Sequence, residues 1–253
     1  MTNQEILQIA LAQSARELNC APEDLLRTEP VLSPLRLGPE ARKYYKPATA
    51  GLLVSYGSNA AASVREDLGE LVGEFIHKFQ FYHCFEPPNL HWLDERLSVL
   101  GQRVCFLSEY YLPDLEKLRP LSCGYPLQIL TDFSGLYLPQ WSNALCEERR
   151  ELDVLGVGAY EGGRLIGLAG CSADCANMWQ IGVDVLPEYR RRGVAAALTS
   201  RLALEVLARG KVPFYCSAWS NLPSVRNAVR SGFVPAWVEL SIQPAELIAD
   251  MNQ

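Results

Sequence analysis

The chain has 253 residues, room for one large domain or two small ones. Hydrophobic residues make up 49% and charged residues 21%, so a full core can form without disulfides or metal, and global disorder is excluded. The formal net charge of −6 argues against nucleic acid or an anionic membrane as partner, because such binding needs clustered Lys and Arg. The eight cysteines are scattered with no C-x-x-C pair, and the three histidines (His77, His83 and His91) lie far in sequence from the one close pair, Cys171 and Cys175. No metal site and free thiols are therefore expected. The first residues lack the basic and long apolar regions of a signal peptide, and no run approaches about 18 apolar residues, so a cytoplasmic protein without a membrane span is expected.

In chain order, Thr2-x-x-Glu5 before Ile6, Leu7, Ile9 and Ala10 reads as a capping box opening a helix over 1–19. Pro22–Leu26 reads as a second, short helical start, and 30–49, rich in Pro, Arg and Lys, as an extended connection. Strands are expected at 51–57 and 59–64. A helical period runs over 67–81, Pro87-Pro88 breaks the chain, and a helix over 90–100 is closed by Gly101. A strand at 103–112 and a linker over 113–123 complete a first α/β domain, 1–120, whose role is open and which is either unrelated to the second half or a degenerate copy of it. Its aromatic cluster of Phe79, Phe81, Tyr82, His83, Phe85 and His91 reads as core or interface, with Tyr44-Tyr45 and Tyr110-Tyr111 joining the same packing; an acceptor pocket is the alternative.

The second domain, 125–253, opens with a strand at 127–133 and a short helical region around 139–150. Strands at 154–160 and 165–173 flank Glu161-Gly162-Gly163-Arg164, a hairpin signal. A strand at 178–186 feeds a polar turn, and a helix from Gly193 to Arg209 is stopped by Gly210. A return strand begins at Val212, a helix starts at Asn221 and Pro223 and stops at Gly232, and a last strand covers 235–242. This order gives an α/β domain with a mixed sheet flanked by helices.

The stretch QIGVDVLPEYRRRGVAAA (180–197) carries the chemistry. A helix that begins just after a turn presents free N–H groups and the positive end of its dipole, which suits a phosphate, and arginines add charge-assisted contacts. Arg190-x-x-Gly193-x-Ala195 supplies the glycine where the backbone meets a phosphate and the small residue where the helix sits close. The alternative is a solvated basic turn. Arg226 and Arg230, one turn apart, read as a solvated helix face. There is no G-x-x-x-x-G-K-[ST] or G-x-G-x-x-G, and Gly156-Val157-Gly158 lacks a third glycine, which weakens other nucleotide-binding readings.

With VPFYCSAWSN (212–221) and LPSVRNAVRSGF (222–233) following in order, the chain resembles the GNAT superfamily of acyl-CoA-dependent N-acetyltransferases over roughly 125–240. Within it, the chain looks like a group from anaerobic Gram-positive bacteria with an extra N-terminal domain. The resemblance implies acetyl-CoA as cosubstrate and direct transfer of its acetyl group to a primary amine of a small-molecule or amino-acid-like acceptor. A non-catalytic acyl-CoA-binding or regulatory module is the alternative, and a homodimer is left open. It implies that Arg190, Arg191, Arg192, Gly193, Val194, Ala195 and Ala196 hold the pyrophosphate. The backbone of Val183, Asp184 and Val185 would hold the pantetheine arm, with Asn221 and Ser224 beside it, although Asn221 also reads as a plain helix cap. The family's acid, a Tyr four residues before Gly-Phe, is here Ala228, and a Glu base found in some members is here Trp179. Tyr215, Ser217 and Asp174 are substitutes, each with an equal structural reading, and no catalytic residue is assigned.

Overall fold

A computed structural model describes residues 1–253. In chain order the elements are α1 (Asn3–Leu18), β1 (Val31–Pro34), β2 (Gly51–Ser55), β3 (Ala61–Val64), α2 (Gly69–Lys78), α3 (Pro87–Val99), β4 (Gln102–Pro113) and β5 (Leu127–Leu130). They continue as β6 (Asp153–Glu161), β7 (Arg164–Ser172), β8 (Met178–Val185), α4 (Val194–Ala208), β9 (Val212–Ser217), α5 (Leu222–Arg230), β10 (Phe233–Pro244) and α6 (Ala245–Met251). The fold is mixed α/β. None of its helices is long and apolar enough to cross a membrane, and all eight cysteines are free.

Contacts divide the chain into two units, Met1–Leu7 with Tyr111–Pro235, and Gln8–Tyr110 with Ala236–Gln253. This division differs from the expected 1–120 and 125–253. It falls inside β4 and β10, because the last strand returns to pair with β2, Val238 opposite Ser55 through Ile242 opposite Gly51. Hydrophobic alternation locates such a strand but does not say which strand it joins.

In the first unit the strand order is β9-β8-β7-β6-β5, with β8 and β9 parallel and the rest antiparallel. One sheet face is packed by α4. Leu198, Leu202 and Val206, spaced at i+4, meet Leu155 and Val157 of β6, Ala169 of β7 and Ile181 of β8. The other face is covered by the segment that precedes β6. Phe133, Trp141, Ala144 and Leu145 pack there against Leu168. The expected helical region at 139–150 is two short 3₁₀ pieces, Pro139–Trp141 and Glu147–Leu152, the second kinked at Arg149. Gly170 and Gly182 explain the close approach. A Cβ at Gly170 would lie 2.1 Å from the Ala144 carbonyl oxygen, and one at Gly182 only 1.8 Å from that of Asn143.

In the second unit the order is β1-β3-β2-β10-β4, with β1 parallel to β3. Its core joins Leu53, Ala62 and Val64 to Val72, Phe75 and Ile76 of α2 and Leu93 and Leu97 of α3. The capping box forms as read, with Glu5 N donating to Thr2 Oγ1 at 3.2 Å and Thr2 N to Glu5 Oε2 at 2.7 Å. The Pro87-Pro88 pair opens α3 rather than breaking the chain, since proline's fixed φ and missing N–H suit the first helical turn. The 30–49 connection contains β1, which its prolines concealed.

The aromatic residues separate. Phe85 is buried with Phe79 and Phe81 against it, while Tyr82 is exposed. Tyr44, Tyr45, Tyr110 and Trp237 instead surround the Arg42 guanidinium, with centroids 5.5 to 5.8 Å away, and Tyr111 joins the core of the first unit.

Candidate functional site

Two features of the first unit converge at the end of β8. The β8–β9 ladder runs from Met178 opposite Val212 to Ile181 opposite Tyr215 and stops there, although β8 continues to Val185 and β9 to Ser217. On its other edge β8 stays paired with β7 through Val185. Residues Gly182 to Val185 therefore present one edge of backbone with no strand against it, and Gly182, Val183 and Asp184 are only half-buried. Such an edge accepts an extended, amide-bearing chain as a strand would be accepted. One group there is already committed, because Arg190 Nε donates to the Val185 carbonyl at 3.0 Å.

The turn after β8 follows. Pro187–Tyr189 is one 3₁₀ turn, Arg191 adopts φ 61°, and Gly193, the N-cap of α4, adopts φ 80°. Two consecutive reversals bring the chain into α4 within a few residues, and glycine is the residue that takes a left-handed φ at little cost. The first bond of the helix is Ala197 N to the Gly193 carbonyl, 3.1 Å. The N–H groups of Val194, Ala195 and Ala196 thus have no intrahelical acceptor. Arg192 donates to the Tyr125 hydroxyl at 3.0 Å and lies 5.4 Å from the Tyr189 ring centroid, so it is held at the turn; that hydrogen bond favours its charged form. Arg191 points to solvent. From α5, Arg230 Nη2 comes within 3.9 Å of where a Gly193 Cβ would stand.

Asp184 has a role the sequence reading missed. Its carboxylate accepts Asn143 N at 2.8 Å, Asn143 Nδ2 at 2.6 Å and Ala144 N at 2.9 Å, clamping the 141–145 segment onto the glycine-lined face of β7 and β8. Glycines at 170 and 182 in otherwise apolar strands were the available signal of a close backbone approach.

At the point where β8 and β9 part, the Tyr215 hydroxyl meets Ser224 Oγ at 2.8 Å. Burial pushes the tyrosine above its ordinary pKa, and the Ser224 bond opposes that, so it is protonated at neutral pH. Asn221 caps α5 by accepting Ser224 N at 3.3 Å, the plain reading of that residue. Ser217 Oγ is buried with no hydrogen-bond partner. Asp174 is fully buried and ion-paired with Arg149, which makes it a structural anchor rather than a base open to substrate. Ala228 is buried in the core, and a tyrosine hydroxyl is absent there.

Residues 138–236 match the family model described as GNAT acetyltransferase. No curated protein matches the chain. Among solved structures, a GCN5-related N-acetyltransferase from Kribbella flavida is 13% identical with a TM-score of 0.50, covering 97% of this chain and 98% of that one, and shows the shared fold. A GCN5-related N-acetyltransferase-like protein from Streptococcus suis 89/1591 is 21% identical over 62% of this chain and 68% of its own, with a TM-score of 0.45. An aminoglycoside N-acetyltransferase, AAC(6')-Iy in complex with CoA, is 21% identical over 45% of this chain and 91% of its own, with a TM-score of 0.36. The chain spans about two thirds of the length of several of the partial matches.

Proposed function

With residues 138–236 matched to the GNAT acetyltransferase family, we propose that the chain is an acetyl-CoA-dependent N-acetyltransferase that acts by direct transfer on a primary amine of a small-molecule or amino-acid-like acceptor. The observation that carries this reading is the unpaired edge of Gly182–Val185, where β9 has left β8, ending at a helix N-terminus ringed by arginines. A pantetheine arm has amides to pair with the open strand edge. The free N–H groups at 194–196 and the arginine side chains at 190–192 suit its pyrophosphate, and an anion at such a helix start is worth about 0.3–2 kcal/mol from the dipole alone.

In the reaction, the neutral amine attacks the thioester carbonyl, an amide bond forms as the nitrogen sheds one proton to solvent, the C–S bond breaks and the leaving thiolate takes up a proton from solvent to become the free thiol. Holding the two reactants together supplies much of the rate for an already activated ester. The protein's part is to fix the arm along β8 and to aim its acyl end at the fork marked by Ile181 and Tyr215.

Calorimetry with CoA and release of free thiol from acetyl-CoA with a panel of amines test this reading. Binding together with amine-dependent thiol release is the expected result. Binding without turnover on any amine would instead indicate a regulatory acyl-CoA module, and no binding would overturn both.

A further inference from the structure

We propose that the Tyr215 hydroxyl is the proton donor to the sulfur that leaves when an acyl thioester is cleaved at the fork of β8 and β9. This inference rests on the acetyltransferase reading of the same site and adds to it the residue that handles the leaving group.

Tyr215 pairs with Ile181 as the last rung of the β8–β9 ladder, so it stands where the open edge of β8 begins. An arm laid along Gly182–Val185 from the turn before α4 would end at this residue. Tyr215 is 4% exposed, and its ring is fixed by those of Phe233 and Tyr111, with centroids 6.2 and 6.3 Å away. The hydroxyl leaves this apolar packing for a polar niche on α5. There it meets Ser224 Oγ at 2.8 Å and the Asn227 side chain, whose Nδ2 also donates to Thr199 Oγ1 at 3.0 Å.

This niche suits a group that gives up a proton. A phenol that does so leaves an oxyanion, which in an interior must be met by hydrogen-bond donors. Burial acts against that anion and is the larger influence, while the Ser224 and Asn227 bonds both act in its favour. Ser224 can turn its hydroxyl either way, and it is half-buried near the start of α5, so it connects the phenol with solvent. The other two sequence candidates lack this arrangement. Ser217 Oγ is buried without a hydrogen-bond partner, so nothing there holds an oxyanion or returns a proton. Asp174 is fully buried and ion-paired with Arg149.

The protons balance. The amine nitrogen sheds one proton to solvent, the C–S bonding pair goes to sulfur, and the Tyr215 O–H passes its proton to that sulfur to give the free thiol. The phenolate regains a proton from solvent through the Ser224 hydroxyl. The proton that the leaving thiolate draws from solvent thus arrives by way of Tyr215.

Two measurements on the full chain test this, for the wild type, Tyr215→Phe and Ser224→Ala, with thermal melting to show each variant folded. The first is the ultraviolet difference absorbance of the CoA thiolate in the complex as the pH is raised. A hydroxyl that donates to sulfur favours the thiolate, so the bound thiol is expected to titrate about one pH unit higher in Tyr215→Phe than in the wild type. The second is the single-turnover rate of amine-dependent thiol release from acetyl-CoA. It should fall by about 100-fold or more in Tyr215→Phe and by a smaller factor in Ser224→Ala, with calorimetric CoA affinity within about threefold of wild type in both. An unshifted thiol titration, or a release rate within about threefold of wild type in Tyr215→Phe, overturns the assignment and leaves the acetyltransferase reading standing. So does a loss of CoA affinity that accounts for the whole loss of rate, which would make Tyr215 a packing residue only. Where Tyr215→Phe does not fold, a rate loss at unchanged affinity is expected in Ser224→Ala, and its absence there overturns the assignment. A wild type that binds CoA but turns over no amine removes the acetyltransferase reading and the proton transfer with it.

Discussion

Gly193 and Asp184 show how single side chains set the geometry at the end of β8. Gly193 sits at φ 80° with its Cβ direction aimed toward Arg230. Gly193→Trp imposes a left-handed cost of about 1–2 kcal/mol and places an indole over the free N–H groups of α4. CoA affinity should fall beyond about 100-fold in calorimetry while the far-ultraviolet circular dichroism spectrum is kept; unchanged affinity would count against the site. Asp184 is a second case. The resemblance implies only backbone groups from it, yet its carboxylate holds three donors of Asn143 and Ala144. Asp184→Ala strands those donors against the sheet, and with each charge-assisted bond worth roughly 1.5–3 kcal/mol but shared among neighbours, a loss of about 2–4 kcal/mol in urea unfolding is expected. The motif spacing made Gly193 legible, because a left-handed N-cap before a helix has a residue signature. The clamp was not legible, because its partners lie 40 and 41 residues away along the chain.

At the scale of elements, the 3₁₀ piece Glu147–Leu152 and the start of β6 form a pH-sensitive joint. The Asp153 carboxylate is buried; its Oδ2 accepts Cys146 N at 3.0 Å, and the Tyr137 hydroxyl also bonds to it. Burial, the dominant cause, raises its pKa from the ordinary 3.8 to about 6, against the pull of the Cys146 and Tyr137 bonds and of Arg149. A folded-state value above the unfolded one means that the folded form binds the proton more tightly. Stability is therefore greatest below about pH 4 for this group, declines as the pH climbs through the interval up to about 6, and carries the full penalty above it. The gap between 3.8 and about 6 amounts to about 3 kcal/mol. Asp153→Asn keeps the acceptor for Cys146 and loses the titration. The difference in unfolding free energy between pH 4 and pH 7 should thus shrink by about 2–3 kcal/mol relative to wild type in urea titrations; an unchanged difference would show that Asp153 does not govern it. Element placement from the sequence succeeded where period and punctuation agreed, as in β6, β7 and their Gly162-Gly163 turn and in α4 with its Leu198–Leu202–Val206 stripe. It failed over 139–150, where polar residues share a helical composition but the chain is drawn flat against two glycines by contacts that periodicity does not encode.

At the scale of the whole chain, the return of β10 is the feature that the order of elements hides. It brings Glu239 into the second unit, where Tyr45, 194 residues earlier, donates a hydrogen bond to it at 2.8 Å. The Arg42 guanidinium lies between Glu239, at 3.5 Å, and Glu17, whose two oxygens each accept from Nε at 2.9 Å. Read in sequence, Arg42 belonged to an extended basic connection and Glu239 to a terminal strand, and nothing local to either marked them as partners. The network is buried, with one guanidinium facing two carboxylates, and burial raises Glu239 above its ordinary pKa while Arg42 holds it down. The two ways of breaking the network should therefore differ in size. Arg42→Met leaves two carboxylates in the interior without a cation and should cost about 3–5 kcal/mol at pH 7. That loss should shrink as the pH is lowered and Glu239, whose pKa burial already raises, takes up a proton. Glu239→Gln removes one carboxylate charge, keeps an acceptor for Tyr45 and leaves Arg42 paired with Glu17, so a change within about 1 kcal/mol is expected. Chemical denaturation of both variants between pH 5 and pH 8 checks the pair. Equal losses that do not vary with pH would show that packing of the four rings, rather than charge balance, holds this part of the molecule together.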